Sequence, residues 1–333
     1  MELLITHKSA LEYWRLHGMT QVDPALRQRR RMPPEEALAS SELKSLDIRG
    51  LTLPLEVMVG AHSAIRKLQK VKTHTASAPL PEGSIIEVGE GFFVASPELC
   101  FFQLVNRLPL AKVLRLGLEL CGKYSLPANA AAHEDPEIKE KGFKNRPALT
   151  SIEKLSSYLA RSGGMFNQRQ LQSILHYIGN GSASPMETKL LIMLILPYKH
   201  GGYALPMPEL DEPVESALTT RKKSKKSGFT KQSKQHRGYR CDLYWRDLKL
   251  AVEYDSDWCH LLSKQKAEDS KKKNYLLSKG IHVITVSKLQ IQDVDEVESV
   301  AKQLAVCHGK QLKHKKNPKW VERHNQLRDQ LKV

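Results

Sequence analysis

From residue 5 to about residue 126, short apolar runs alternate with turn residues; 51–59, 83–88 and 91–95 are the clearest, and their pattern predicts strands. Residues 96–120 read differently. Ser96 suits an N-cap, Pro97 the first helical turn, and Leu99, Phe102, Leu104, Leu108, Val113, Leu116 and Leu120 recur at mostly helical spacing, with residues 106–109 breaking the run into two helices. Residues 127–147 are rich in Ala, Pro, Glu and Lys without an apolar period, which predicts a solvated loop and a domain boundary. Two short amphipathic helices follow at 151–162 and 167–178, the second ended by Gly179-Asn180-Gly181-Ser182.

The remainder has its own order. A helix opens at Ser184-Pro185-Met186-Glu187 and runs through the apolar 189–196, followed by a strand near 203–206 and a basic insert. Then come a strand at 239–245, a tight turn at Arg246-Asp247, a strand at 248–254, a helix at 262–277 stopped by Gly280, and a strand at 281–286. The fold class is therefore α/β, an α-β-β-β-α-β core preceded by a mixed α+β domain. The predicted division is 1–125, a helical connector at 126–183, the core at 184–306 and a basic, helical tail at 307–333.

Composition sharpens this picture. At 333 residues the chain has room for two domains, given ~100 to 200 residues each. Its 52 Lys and Arg against 36 Asp and Glu leave a net charge of +16, which points to a polyanionic partner, nucleic acid first. The five cysteines (100, 121, 241, 259 and 307) form no C-x-x-C pair, so neither a disulfide framework nor a structural zinc site is expected. No run approaches ~18 apolar residues and no export signal opens the chain, so a cytoplasmic protein without membrane contact is expected.

The hairpin carries the chemistry. A turn centred on Arg246 and Asp247 sets Asp242 near Ala251, one diagonal step from Glu253, and Asp255 continues that row if Asp242 and Glu253 share a face. Carboxylates this close repel by ~1 kcal/mol or more each in a partly dry cleft, so a cation, protons or basic groups must offset them. A divalent metal, Mg²⁺ or Mn²⁺, satisfies that need and suits phosphodiester cleavage. The alternative is a pair of solvated hairpin acids, although Glu253 follows the apolar run 248–252, where an unpaired charge is costly. Glu187 also has two readings: the N3 residue of a capping box opened by Ser184, or a ligand at the mouth of the cleft.

Ser-Pro-x-Glu187 on a helix, Tyr-Arg-x-Asp242-Leu-Tyr-Trp, Val-Glu253-Tyr-Asp255, the nearby His260, residues 269–273 and Gly280-Ile-x-Val-Ile-Thr-Val286 together resemble the PD-(D/E)XK nuclease superfamily, in the branch similar to the very-short-patch-repair endonuclease. The resemblance covers roughly 184–287. It implies Asp242 and Glu253 as Mg²⁺ ligands, Glu187 as the helix glutamate, and Asp255 or His260 orienting the reacting water. Many relatives carry lysine two residues after the strand glutamate, where this chain has Asp255; His260, Lys264 and Lys266 are candidates for that positive charge. Asp269 and Lys272 have the spacing of a helical ion pair.

The insert carries Arg221, Lys222, Lys223, Lys225, Lys226, Lys231, Lys234 and Arg237, a solvated run able to neutralise phosphates without reading bases, and residues 310–319 with Trp320 offer a similar role. The N-terminal half resembles more loosely the antitoxin of type IV abortive-infection toxin–antitoxin systems, through Ile5-Thr-His-Lys-Ser-Ala-Leu-Glu-Tyr-Trp14, Leu53-Pro-Leu-Glu-Val-Met-Val59 and Gly91-Phe-Phe-Val-Ala-Ser-Pro-Glu-Leu-Cys-Phe-Phe102. No catalytic spacing is evident there, and His7, His62 and His74 read as ordinary polar residues. The expected function is thus a metal-dependent endonuclease acting on DNA. The alternatives are a non-catalytic DNA-binding regulator of antitoxin type and a structural adaptor.

Overall fold

A computed structural model describes residues 2–19, 31–35, 50–60, 69–76, 78–214, 239–255 and 263–332. The fold is mixed α/β and divides into two compact units, Met1–Ala204 with Lys313–Val333, and Leu205–Leu312. The division falls at 204 and 312; the sequence pattern predicts boundaries at 125, 183 and 306.

In the first unit a five-stranded sheet has the order β3-β2-β1-β5-β4, from β1 (Leu3–Ile5), β2 (Leu55–Val59), β3 (Val71–Thr75), β4 (Ile85–Gly89) and β5 (Phe92–Ala95). β1 runs antiparallel to β2 and parallel to β5. Helix α1 (His7–His17) buries Trp14, whose indole N–H donates to the Ala95 carbonyl at 2.8 Å and ties the helix to the sheet. The two helices expected between 96 and 120 are α2 (Pro97–Val105), capped by the Ser96 hydroxyl, and α3 (Leu110–Leu120). Pro109 extends the backbone between them, as a residue without a backbone N–H and with fixed φ does.

Residues 127–147 depart from the expected loop. They form α4 (Pro136–Lys141), N-capped by Asp135, and β7 (Lys144–Asn145), paired with β6 (Tyr124–Ser125). A six-residue helix needs no apolar period: a side-chain cap and one buried residue, Ile138, suffice. Helices α5 (Ile152–Arg161) and α6 (Gln168–Leu175) begin at Ser151 and Asn167 caps, as the sequence suggests.

Helix α7 (Pro185–Ile195) is buried on nearly all sides, which accounts for its continuous apolar run. The strand expected near 203–206 is absent. There the Tyr203 and Ala204 N–H groups donate back to the carbonyls of Met193 and Leu196, closing the chain onto the end of α7. Gly202 permits this return, since a Cβ at that position would lie 2.1 Å from the Leu196 carbonyl oxygen. The C-terminal segment is likewise integrated. Helix α11 (Trp320–Gln330) buries Trp320, whose N–H donates to the Gly202 carbonyl at 3.0 Å, and His324 Nδ1 lies 2.8 Å from the Gly201 carbonyl.

The second unit is a four-stranded sheet of order β11-β10-β9-β8, from β8 (Glu209–Pro213), β9 (Arg240–Trp245), β10 (Leu250–Asp255) and β11 (His282–Ser287). β8, β9 and β10 form an antiparallel meander. Helix α8 (Ser263–Ser278) crosses over so that β11 runs parallel to β10. The hairpin register departs from expectation: Leu250 pairs with Trp245, Ala251 with Tyr244 and Val252 with Leu243. The connection is a 3-10 turn at Arg246–Leu248 closed by Lys249 at φ 47°, not a two-residue turn, and it slides the strands by two residues. Cys241, Tyr244, Ala251, Leu276 and Ile281 pack as a buried cluster. Helices α9 (Lys288–Gln292) and α10 (Val294–Cys307) complete the unit. No helix of the described residues is long and apolar enough to cross a membrane.

Candidate functional site

The corrected register matters for the carboxylates. Continued one pair beyond Val252 and Leu243, it sets Asp242 directly opposite Glu253, a closer arrangement than the expected diagonal. Asp242 Oδ2 accepts the Tyr254 N–H at 2.7 Å. Glu253 Oε2 forms an ion pair with Lys272 Nζ from α8, the Cys241 thiol also hydrogen-bonds to this carboxylate, and Glu253 Oε1 is buried with no nitrogen or oxygen donor among the described residues.

The electrostatics follow. Burial, reinforced by the Asp242 charge and opposed by Lys272, pushes the Glu253 carboxyl up to about 7. Burial also raises Asp242, against the Tyr254 N–H and Lys272. For Lys272 burial works the other way, but the Glu253 charge and hydrogen bond with the Asp242 charge together outweigh it and hold the ammonium above its ordinary value. Burial and then Glu253 push the neighbouring Cys241 thiol up to about 12, so it stays protonated at neutral pH. Two half-buried carboxyls with one cation among the described residues form a centre that favours a second positive charge.

Lys272 was not singled out for this role from sequence, where its spacing from Asp269 suggested a local helical pair. Its partner is 19 residues away on a strand, a contact fixed only by the crossover of α8. The one available signal was its place within residues 269–273 of the resemblance. Asp255 stands exposed at the end of β10, paired in the sheet with Ser287. Glu187 lies in the first unit on α7 and acts as a cap: Ser184 Oγ accepts its N–H at 3.2 Å, and Glu187 Oε2 accepts the Ala183 N–H at 2.9 Å. His260, the side chains of Lys264 and Lys266, and the basic insert from Arg221 to Arg237 lie outside the described residues.

A second cluster, in the first unit, brings together two of the histidines that the sequence reads as ordinary polar residues. His7 at the start of α1, Glu56 on β2 and His74 on β3 converge, with His74 Nε2 2.8 Å and His7 Nδ1 3.8 Å from Glu56 Oε2, and this group could hold a metal ion. Arg107 Nη1 reaches the same oxygen at 2.7 Å. Burial, then the His74 and Arg107 charges, lower His7 to about 3 despite Glu56; burial likewise lowers His74. Burial raises Glu56, but its bonds from Arg107 and His74 and the Arg107 and His7 charges together hold it below its ordinary value. No local spacing could reveal this: the parallel pairing of β2 with β3 brings residues 18 apart together. His62 lies outside the described residues.

No family model matches the chain, and neither a curated protein nor a solved structure does.

Proposed function

We propose that the second unit is a metal-dependent endonuclease that hydrolyses phosphodiester bonds of DNA. The observation that carries this reading is the closeness of Asp242 on β9 and Glu253 on β10, near enough for the Asp242 charge to raise Glu253, with Lys272 paired to Glu253. Two further features support it. The meander followed by a helical crossover to a parallel strand is the order expected of a PD-(D/E)XK core, and the net charge of +16 favours a polyanionic substrate.

The donor set fits Mg²⁺ or Mn²⁺, because both side chains offer carboxylate oxygen and such ions take one or two carboxylates plus water and phosphate oxygens. When bound, the ion would polarise the scissile phosphate and lower the pKa of a water. The chain's own groups do the rest. Asp242 is oriented by the Tyr254 N–H. Glu253 is held by Lys272, whose ammonium can also donate to a phosphate oxygen and so supply a positive charge in place of the motif lysine this chain lacks. Burial keeps both carboxyls short of counter-charge, so they bind a cation at the expense of a proton.

The test is cleavage of duplex DNA, single-stranded DNA and RNA by the full chain with Mg²⁺ or Mn²⁺. DNA cutting by the wild type, lost in Asp242→Ala while DNA binding persists, supports the proposal. Tight DNA binding with no metal-dependent cutting would instead favour the antitoxin-type regulator, and no salt-sensitive binding to any polynucleotide would remove both.

A further inference from the structure

We propose that His7, Glu56 and His74 form a binding site for one divalent transition-metal ion of the zinc class, and that Arg107 is the cation such an ion displaces from Glu56. The site is independent of the nuclease reading and belongs to the other unit. Its ligands come from three elements, the start of α1, β2 and β3, so the fold and not a flexible loop sets their spacing.

The distances fit. With bonds of ~2.0–2.1 Å, a tetrahedral ion needs its ligand atoms about 3.4 Å apart. The observed separations from Glu56 Oε2, 2.8 Å to His74 Nε2 and 3.8 Å to His7 Nδ1, bracket that value, and the three ligand atoms all lie within 4.8 Å of one another. Thr6 Oγ1 lies 2.9 Å from His7 Nδ1, a hydrogen bond that the nitrogen gives up when it binds an ion.

The backbone of His7 holds φ at 52° although it carries a side chain. Such a conformation costs of order 1–3 kcal/mol and persists where surrounding contacts enforce it. Here the His7 N–H donates to Gln103 Oε1 at 3.0 Å, and the Cys100 thiol donates to the His7 carbonyl at 3.3 Å. The result is an imidazole turned against His74, ring centroids 3.9 Å apart. Charge balance alone does not require this, because Arg107 already pairs with Glu56. Two imidazole nitrogens and one carboxylate suit zinc, cobalt or nickel, whereas the all-oxygen pair in the second unit suits magnesium. Three protein ligands leave a position for water or another small ligand.

The experiment uses the full chain, stripped with a chelator and titrated with Co²⁺ as a spectroscopic probe and with Zn²⁺ by calorimetry. One ion should bind per chain, with a visible Co²⁺ spectrum of low coordination number. His74→Ala should weaken binding by about 100-fold or more, and Glu56→Gln should also weaken it. Arg107→Ala should tighten binding, because the competing cation is gone. Asp242→Asn with Glu253→Gln should leave it unchanged, separating this site from the second unit. Circular dichroism establishes that each variant is folded, and His74→Asn replaces His74→Ala if that variant is not. No uptake of Co²⁺ or Zn²⁺ by the wild type, uptake unaffected at His74, or Arg107→Ala binding no more tightly than wild type would overturn the proposal.

Discussion

If Glu253 titrates near neutrality, the second unit should lose stability as the pH rises, opposite to the usual carboxylate. Its folded value is raised from 4.5 to about 7. The folded state therefore holds its proton more tightly, and the resulting stability is fully present below about 4.5 and lost as pH climbs through about 7. At ~1.36 kcal/mol per pKa unit the whole effect is on the order of 3 kcal/mol, of which roughly 2 kcal/mol falls between pH 5.5 and 7.5. Glu253→Gln preserves shape without ionising, so the difference between wild type and variant isolates this group from every other titration in the chain. The assay is hydrogen exchange read on peptides from β9 and β10, which reports the second unit separately from the first. The wild type should lose protection relative to Glu253→Gln as pH rises from 5.5 to 7.5. Excess Mg²⁺ should restore it in the wild type only, by about 2.7 kcal/mol at a concentration 100 times Kd. A difference that is flat with pH, or that grows in favour of the wild type, would refute the claim that a costly ionised Glu253 faces Asp242.

Other outcomes follow from named contacts. Lys272→Met should slow single-turnover DNA cleavage by about 10²-fold with the fold intact, while Lys272→Arg keeps a larger share; equal rates in both variants and wild type would remove Lys272 from the site. Glu119→Ala should destabilise the first unit by about 3–5 kcal/mol in urea unfolding, because it leaves Arg15, bonded at 2.8 and 2.7 Å to a fully buried carboxylate, without its partner. Gly202→Ala should lower the unfolding midpoint and expose Trp320, followed by its fluorescence, since the new Cβ meets the Leu196 carbonyl at 2.1 Å and the Trp320 N–H depends on the Gly202 carbonyl. An unchanged midpoint would show that the 201–204 return has more room than its geometry implies.

The elements legible in the sequence are those whose signals are local. Ser96-Pro97, Ser151, Asn167 and Ser184 mark helix starts because a capping side chain acts within three residues. The β9–β10 hairpin and the strand after Gly280 are also read correctly in kind. Errors arise where the deciding partner is distant or the backbone is unusual. Lys249 in the left-handed region lengthens the hairpin connection, and a two-residue slip changes which carboxylates face each other. The 203–206 segment has the apolar character of a strand, but the Tyr203 and Ala204 N–H groups are taken by the end of α7. Lys272 and the trio His7, Glu56 and His74 depend on a crossover and a parallel pairing that no sequence period encodes.

The two acidic centres also differ in how they treat their excess charge, and that difference argues for different cations. At Asp242 and Glu253 two carboxyls share one lysine among the described residues, a balance short of positive charge that a proton or an ion can supply. At Glu56 one carboxylate already has a guanidinium at 2.7 Å, and the added groups are imidazoles, which bring lone pairs instead of charge at neutral pH. A hard ion such as Mg²⁺ gains most where charge is missing and oxygen is offered. An ion of the zinc class gains where nitrogen donors outnumber oxygen, and it must expel Arg107 to do so. Substituting Arg107 should therefore move zinc affinity without touching the Mg²⁺ dependence of cleavage, and substituting Asp242 should do the reverse.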